Sequence, residues 1–338
     1  MYKNEGYMAG TNLGHWISQY GNKSHEHFRE YIKEKDLARI ASWGMDHVRL
    51  PVDYFIFERD ENPGAYLENG LCYIDNCLEW CKKYKLNMVL DMHHAPGFFF
   101  SKGDENKLME DPETQERYIS IWRFLSKRYA REKDNLAFEL LNELVAETSE
   151  LWNILWPRAA EAIHEISPHR KVIVGSNKWN SADELKNLLI SPNPNILYTF
   201  HMYSPFIFTH QKAGWVEQTR RYIKQVDYPV NTDEHIDFYQ GNIPEHEKGI
   251  LDKEYLQRVI APAVDFIEKN KRPLYCGEYG VISHASVPSA IAWVNDAADV
   301  FLEHGIGRAF WSYRGFAGLT DTNNEIVDIE YVKAVSRY

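Results

Sequence analysis

Asn87-Met88-Val89-Leu90-Asp91-Met92-His93-His94, then the helical pattern Thr114–Arg131, then Leu136-Ala137-Phe138-Glu139-Leu140-Leu141-Asn142-Glu143: this stretch reads strand, helix, strand. Both short runs are rich in apolar residues on both faces, as strands covered on two sides must be. The same unit recurs outward in each direction. Further β-rich runs lie at Met8–Gly14, His47–Val52, Lys171–Ser176, Ile196–Tyr203, Pro273–Tyr279 and Arg308–Tyr313. Helical patterns at Tyr73–Tyr84, Leu151–Ile166, Tyr255–Asn270 and Ser289–Glu303 fall between them. Strands alternating with helices predict a parallel sheet, and eight such units predict an α/β fold of the (β/α)8 TIM-barrel type. No repeat or Gly/Ser linker breaks the series, so residues 1–338 are read as a single domain.

The spacing of the runs is uneven. Ser204 to Arg272 spans about 69 residues, where a helix and two loops need about half of that. An inserted subdomain over 205–253, in the loop after strand six, is therefore expected to overhang the active face, because loops after barrel strands form that face.

Composition narrows the function classes. The chain carries 49 acidic against 38 basic residues, a net charge of −11, which repels phosphate backbones and anionic lipid. Neither a nucleic acid nor a membrane is an expected partner. No run of 18 apolar residues is present, and no signal-peptide stretch follows Met1. The expectation is a cytoplasmic protein if the chain is complete and a secreted one if a leader has been removed. A monomer is expected. The 10 Trp, 21 Tyr and 16 Phe suit packed cores and sugar faces alike. Cys72, Cys77, Cys81 and Cys276 have neither zinc-site nor disulfide spacing and read as reduced packing thiols.

Strand C-termini are the positions where a barrel places its chemistry. Strand two ends His47-Val48-Arg49-Leu50-Pro51, strand three Asp91-Met92-His93-His94, strand four Glu139-Leu140-Leu141-Asn142-Glu143, strand six His201-Met202-Tyr203, strand seven Cys276-Gly277-Glu278-Tyr279 and strand eight Phe310-Trp311-Ser312-Tyr313. Glu143 and Glu278 face each other from strands four and seven. Two carboxyls about 5–5.5 Å apart are what a retaining glycosidase needs: one attacks the anomeric carbon, the other protonates the leaving oxygen and later deprotonates water. Arg49 and the Tyr203 hydroxyl are expected to keep one carboxylate ionised, so that the other, facing that charge, keeps its proton. Strand alternation puts Glu139 and Asp91 inside the barrel below the catalytic pair, with Arg49 as their cation. Asn142 reaches the same face only if strand four bends at its end. By the same alternation Cys276 packs beneath Glu278. His93 and His94 are adjacent rather than two apart, which argues against a strand-borne metal pair, so neither metal nor cofactor is expected. His15, His25 and His27 read as ordinary loop or surface residues.

Arg49, His93, Asn142, Glu143, His201, Tyr203, Glu278 and Trp311, in this order on these strands, resemble the constellation of glycoside hydrolase family 5, the large cellulase family of retaining barrel enzymes. The stretches Gly10–Gln19, His47–Pro51, Val89–Gly97, Phe200–Gln211 and Leu274–Tyr279 look like its clostridial endoglucanase C type. The resemblance implies Glu143 as general acid/base and Glu278 as nucleophile. It implies Asn142 on the sugar 2-hydroxyl, Arg49 and Tyr203 orienting Glu278, His93 and His201 holding sugar hydroxyls and the acid/base, and Trp311 stacking on the reacting ring. Trp179, Phe206 and Tyr313 are further candidate platforms, and Asn12 and His94 further candidate contacts. Many family members carry Pro after the strand-four Asn-Glu, where this chain has Leu144.

The implied activity is a retaining endo-β-glucanase on β-1,4 or mixed-linkage β-1,3-1,4 glucans. A β-1,3-glucanase or β-mannanase on the same machinery and a non-catalytic polysaccharide-binding barrel are the alternatives. The presence of both Glu143 and Glu278 argues against the last.

Overall fold

In the computed structural model, which describes residues 2–101 and 106–338, the eight β-rich runs form β1 (Ala9–Asn12), β2 (His47–Asp53), β3 (Asn87–His94), β4 (Leu136–Glu139), β5 (Lys171–Gly175), β6 (Ile196–Met202), β7 (Leu274–Tyr279) and β8 (Gly307–Phe310). They close into one parallel barrel in which β1 pairs with both β2 and β8. Outer helices follow the strands, among them Glu68–Tyr84, Pro112–Arg128, Glu150–His164, Lys253–Asn270 and Val287–His304. Side-chain alternation splits the core in two. Val48, Leu50, Leu90, Phe138, Val172, Val174, Tyr198 and Phe200 face the helices. Tyr7, Val89, Ala137, Ile173, Leu197, Tyr275 and Ala309 fill the barrel itself, as the layered interior of this fold requires. Cys77, Cys81 and Cys276 are buried free thiols and Cys72 is partly buried, in keeping with packing roles.

Two irregularities aim the polar residues. β4 is shorter than its apolar run: pairing stops at Glu139, and the chain bends at Leu140 and Asn142. The expected bend is thus present, and Glu139 and Asn142 reach the same guanidinium. On β7, Cys276 pairs with Phe200 and Glu278 with His201, so Gly277 is an extra residue, a β-bulge. This corrects the alternation expected for Cys276. Its thiol packs among the outer core residues, and the bulge turns Glu278 inward.

From the end of β6 to helix Lys253–Asn270 the chain runs through short helices Phe206–Thr209 and Glu217–Arg221 and a two-stranded antiparallel ribbon of Val230–Asn231 and Ile250–Leu251. No helix of the described residues is long and apolar enough to cross a membrane.

Candidate active site

Arg49, on β2, is fully buried and organises the barrel mouth. Its Nε and Nη2 donate to the two oxygens of Glu139 at 2.7 and 2.9 Å. Nη1 donates to Glu278 Oε1 at 2.8 Å and Asn12 Oδ1 at 2.9 Å, and Nη2 to Asn142 Oδ1 at 2.8 Å. Asp91 Oδ2 lies 3.1 Å from Nη2. One cation thus faces three carboxylates in a buried interior. Burial outweighs its attraction for all three, pushing Asp91 and Glu139 each up to about 7 and raising Glu278 as well. Asn12 is buried too. It accepts from Arg49 and donates to Gly277 O at 3.0 Å, so it braces the guanidinium against the β7 bulge and lies below the cleft.

Above this layer the two glutamates meet. One oxygen of Glu143, one of Glu278 and a ring nitrogen of His201 all lie within 4.8 Å of one another. Glu278 is held on both oxygens, by Arg49 and by the Tyr203 hydroxyl, which donates to Oε2 at 2.8 Å. Glu143 contacts His201 Nδ1 at 2.9 Å, with 12% of its side chain exposed to the cleft. Burial and the facing Glu278 charge push Glu143 well above the usual carboxylate range. Burial also raises Glu278, but Arg49 and the Tyr203 hydroxyl oppose it. The shared proton therefore resides on Glu143. Burial, reinforced by Arg49, keeps the His201 imidazole neutral, well below its ordinary pKa. Glu143, His201 and Glu278 also have the composition of a metal cluster. With Arg49 already on Glu278, however, a cation there would meet a guanidinium at hydrogen-bond distance from one of its ligands.

A cleft of about 580 Å³ opens over the pair, walled by His93, His94, Asn142, Tyr203 and Trp311 among others. Asn142 Oδ1 is taken by Arg49, which leaves Nδ2 as the atom able to donate to a ligand. His93 bonds Asp91 Oδ2 at 2.7 Å and stacks on Trp311 with ring centroids 5.8 Å apart; burial lowers its pKa to about 3, so it is neutral. Gly280 leaves room for this arrangement, since a Cβ there would sit 2.2 Å from Trp311 O. His94, at the cleft edge, is tied to Asp53 Oδ1 at 2.6 Å and stacks on Phe100.

The three further candidate platforms differ in placement, and burial rules out one of them. Tyr313 is fully buried and its hydroxyl donates to Asp36 Oδ1 at 2.7 Å, so it is a structural residue beneath the β8 loop and no sugar platform. Its pairing with a buried carboxylate explains why a tyrosine, and not a phenylalanine, stands there. Trp179 is 55% exposed and lies outside the cleft walls. Phe206 also stands off the wall, stacked 4.1 Å behind His210, which does line it. Conversely, His15 is a wall residue edge-on to Trp311 at 5.9 Å, not an ordinary loop histidine. Gln19, whose amide nitrogen is 3.1 Å from His93 Nε2, His210, Trp215 and Phe316 also went unidentified in the sequence. His15, Gln19 and His210 fall in the Gly10–Gln19 and Phe200–Gln211 stretches, the one signal that could have found them.

Paired carboxyls across a sugar-sized, aromatic-walled cleft at the C-terminal end of a (β/α)8 barrel define the class: a glycoside hydrolase. Residues 10–317 match the family model for cellulase, glycosyl hydrolase family 5, and the chain belongs to that family. It is 49% identical over 313 residues to endoglucanase C of Acetivibrio thermocellus, covering 91% of each chain. It is 35% identical to cellodextrinase A of Ruminococcus flavefaciens, covering 91% of this chain and 86% of that one. Among solved structures, Cel5A of Thermotoga maritima in complex with mannotriose superposes with a TM-score of 0.80 at 25% identity over 97% of each chain. Its complex with cellobiose gives 0.80 at 25% over 98% of each.

Proposed function

We propose that this protein is a retaining endo-β-glucanase cleaving β-1,4 or mixed-linkage β-1,3-1,4 glucans. One observation carries the reading: two carboxyls lie within 4.8 Å, one clamped by a guanidinium and a phenol and the other on a neutral imidazole. Glu278, held ionised by its two donors, attacks the anomeric carbon while Glu143 passes its proton to the leaving oxygen. Glu143, now a carboxylate, takes a proton from water as that water displaces Glu278. In this reading Asn142 Nδ2 meets the 2-hydroxyl and Trp311 the ring being cleaved.

Endo action is supported by the extent of the groove. The cleft adjoins a second cavity of about 650 Å³ that shares His15, Gln19, His94 and Phe316 with it and continues over Tyr20 and Phe55. In this reading the glycan extends beyond the cleavage point along that side. Residues 205–253 are proposed as an insertion on the active face, and they contribute Thr209, His210 and Trp215 to the wall. A β-mannanase activity on the same machinery is the second reading, favoured by the structural neighbour whose complexes hold either mannotriose or cellobiose.

Release of reducing sugar from barley glucan, carboxymethylcellulose, laminarin and mannan, with product sizes resolved, tests the assignment. Oligosaccharides from the first two are expected early. Glucose or cellobiose alone from chain ends would overturn endo action, and mannan as the best substrate would select the second reading.

A further inference from the structure

The loop bearing Asn142 and Glu143 is fastened to the turn that follows β5. Asn177 Oδ1 accepts from Ala146 N and its Nδ2 donates to Ala146 O, both at 3.0 Å. Trp179 N donates to Leu144 O at 3.0 Å. Asn180 Nδ2 donates to Asn142 O at 2.6 Å and lies 3.3 Å from His201 Nε2. The turn is strained: Lys178, Trp179 and Asn180 have φ of 50°, 57° and 59°, three successive non-glycine residues in the left-handed region. Each such residue costs about 1–2 kcal/mol, and strain of this kind persists only where surrounding structure enforces it. Gly175 makes the room, since a Cβ there would fall 2.3 Å from Asn180 Oδ1. The strain brings one amide into a buried position between the acid/base loop and His201.

That amide has only one workable orientation. Asn142 O is a carbonyl and can only accept, so the atom facing it is Nδ2. Both hydrogens of Nδ2 are then assigned, one to Asn142 O and the other to His201 Nε2. Oδ1 is left buried with no hydrogen-bond partner among the described residues, so nothing pulls the amide the other way. A ring nitrogen that accepts carries no proton, which puts the proton of the neutral imidazole on Nδ1. Nδ1–H points at Glu143 Oε1, 2.9 Å away. Accepting this bond suits Oε1 as the carbonyl oxygen of the acid, which favours the carboxylic proton on Oε2.

We propose that Asn180 is a positioning residue for catalysis: it fixes the His201 tautomer and thereby the oxygen from which Glu143 delivers its proton. The proposal rests on Glu143 being the acid/base. Asn180→Asp replaces both donors by acceptors at nearly constant volume. The His201 proton is then drawn to Nε2, and Nδ1 faces Glu143 bare.

Long-range 1H–15N NMR of the wild-type protein, with His201→Gln used to assign the signal, is expected to show His201 protonated on Nδ1. A proton on Nε2 overturns the proposal without recourse to any Asn180 variant. In kinetics, Asn180→Asp is expected to lower kcat/KM for barley glucan tenfold or more, part of the 10²–10⁴ that general acid catalysis supplies. For 2,4-dinitrophenyl β-cellobioside, whose leaving group needs no proton, kcat/KM should stay within about threefold of wild type. Equal losses on both substrates overturn the proposal. Glu143→Ala, run beside it, separates the two ideas. If Glu143→Ala shows no difference between the substrates, the acid/base reading itself falls. If Glu143→Ala shows the difference and Asn180→Asp does not, the role of Asn180 alone falls.

Discussion

Replacing Arg49 by Met keeps most of the side-chain volume and removes the guanidinium that reaches Glu139, Asp91 and Glu278 at 2.7, 3.1 and 2.8 Å. Removing one partner of a buried ion pair costs about 3–5 kcal/mol, because the abandoned charge stays out of water. At about 2.1 cal/mol/K of unfolding entropy per residue, a chain of this length has roughly 0.7 kcal/mol/K, so the melting temperature falls by roughly 4–7 °C. The deficit depends on pH. Asp91 and Glu139 titrate near 7 in the folded protein and near 4 when unfolded. Between those values the folded state binds more protons, so stability declines as pH rises through this window. Without Arg49 the folded values climb further, and the variant goes on losing stability above pH 7, where the wild type has levelled off. Calorimetry at pH 5 and pH 8 should therefore show a modest loss at the lower pH and the full loss at the higher. A deficit that is the same at both, or below about 1 °C at pH 8, would refute the picture of one guanidinium offsetting three buried acids.

Tyr203→Phe removes the donor to Glu278 Oε2; at about 1.5–3 kcal/mol for a hydrogen bond to a charged group, kcat/KM on barley glucan should fall roughly 10- to 100-fold with the fold intact by circular dichroism. The acid limb of the pH–rate profile should move up in that variant, since Glu278 loses a group that favours its ionised form. In the wild type both limbs belong to the coupled Glu143–Glu278 pair. Because burial and the facing Glu278 charge raise Glu143 well above the ordinary glutamate range, the basic limb lies above that range; a profile already falling at pH 5 would contradict this. Tyr313→Phe should leave kcat and KM on glucan unchanged while lowering the melting temperature, because Asp36 loses a buried donor.

The barrel was legible in the sequence because strands buried on both faces leave near-continuous apolar runs, and eight of these survive any error at their ends. Glu143 and Glu278 were legible for a related reason: a carboxylate ending such a run needs a use or a partner. What escaped is what a one-residue shift controls. The extra residue Gly277 reverses the facing of Glu278 relative to Cys276, and no pattern in Cys276-Gly277-Glu278-Tyr279 announces it. β4 stops at Glu139 although the apolar run continues to Leu141. Tyr313 looked like a platform because it shares a strand end with Trp311, yet its hydroxyl is anchored to Asp36 on another element. Asn180 gave no signal at all, since Lys178-Trp179-Asn180 contains no glycine to mark a left-handed turn.

The most direct test of the account is to trap the intermediate with a 2-deoxy-2-fluoro β-cellobioside carrying a good leaving group, digest the protein and locate the added mass. The label should sit on the peptide containing Glu278. A label on Glu143, or turnover of glucan to the α-anomer with no label anywhere, would contradict the roles that the geometry of the two carboxyls implies.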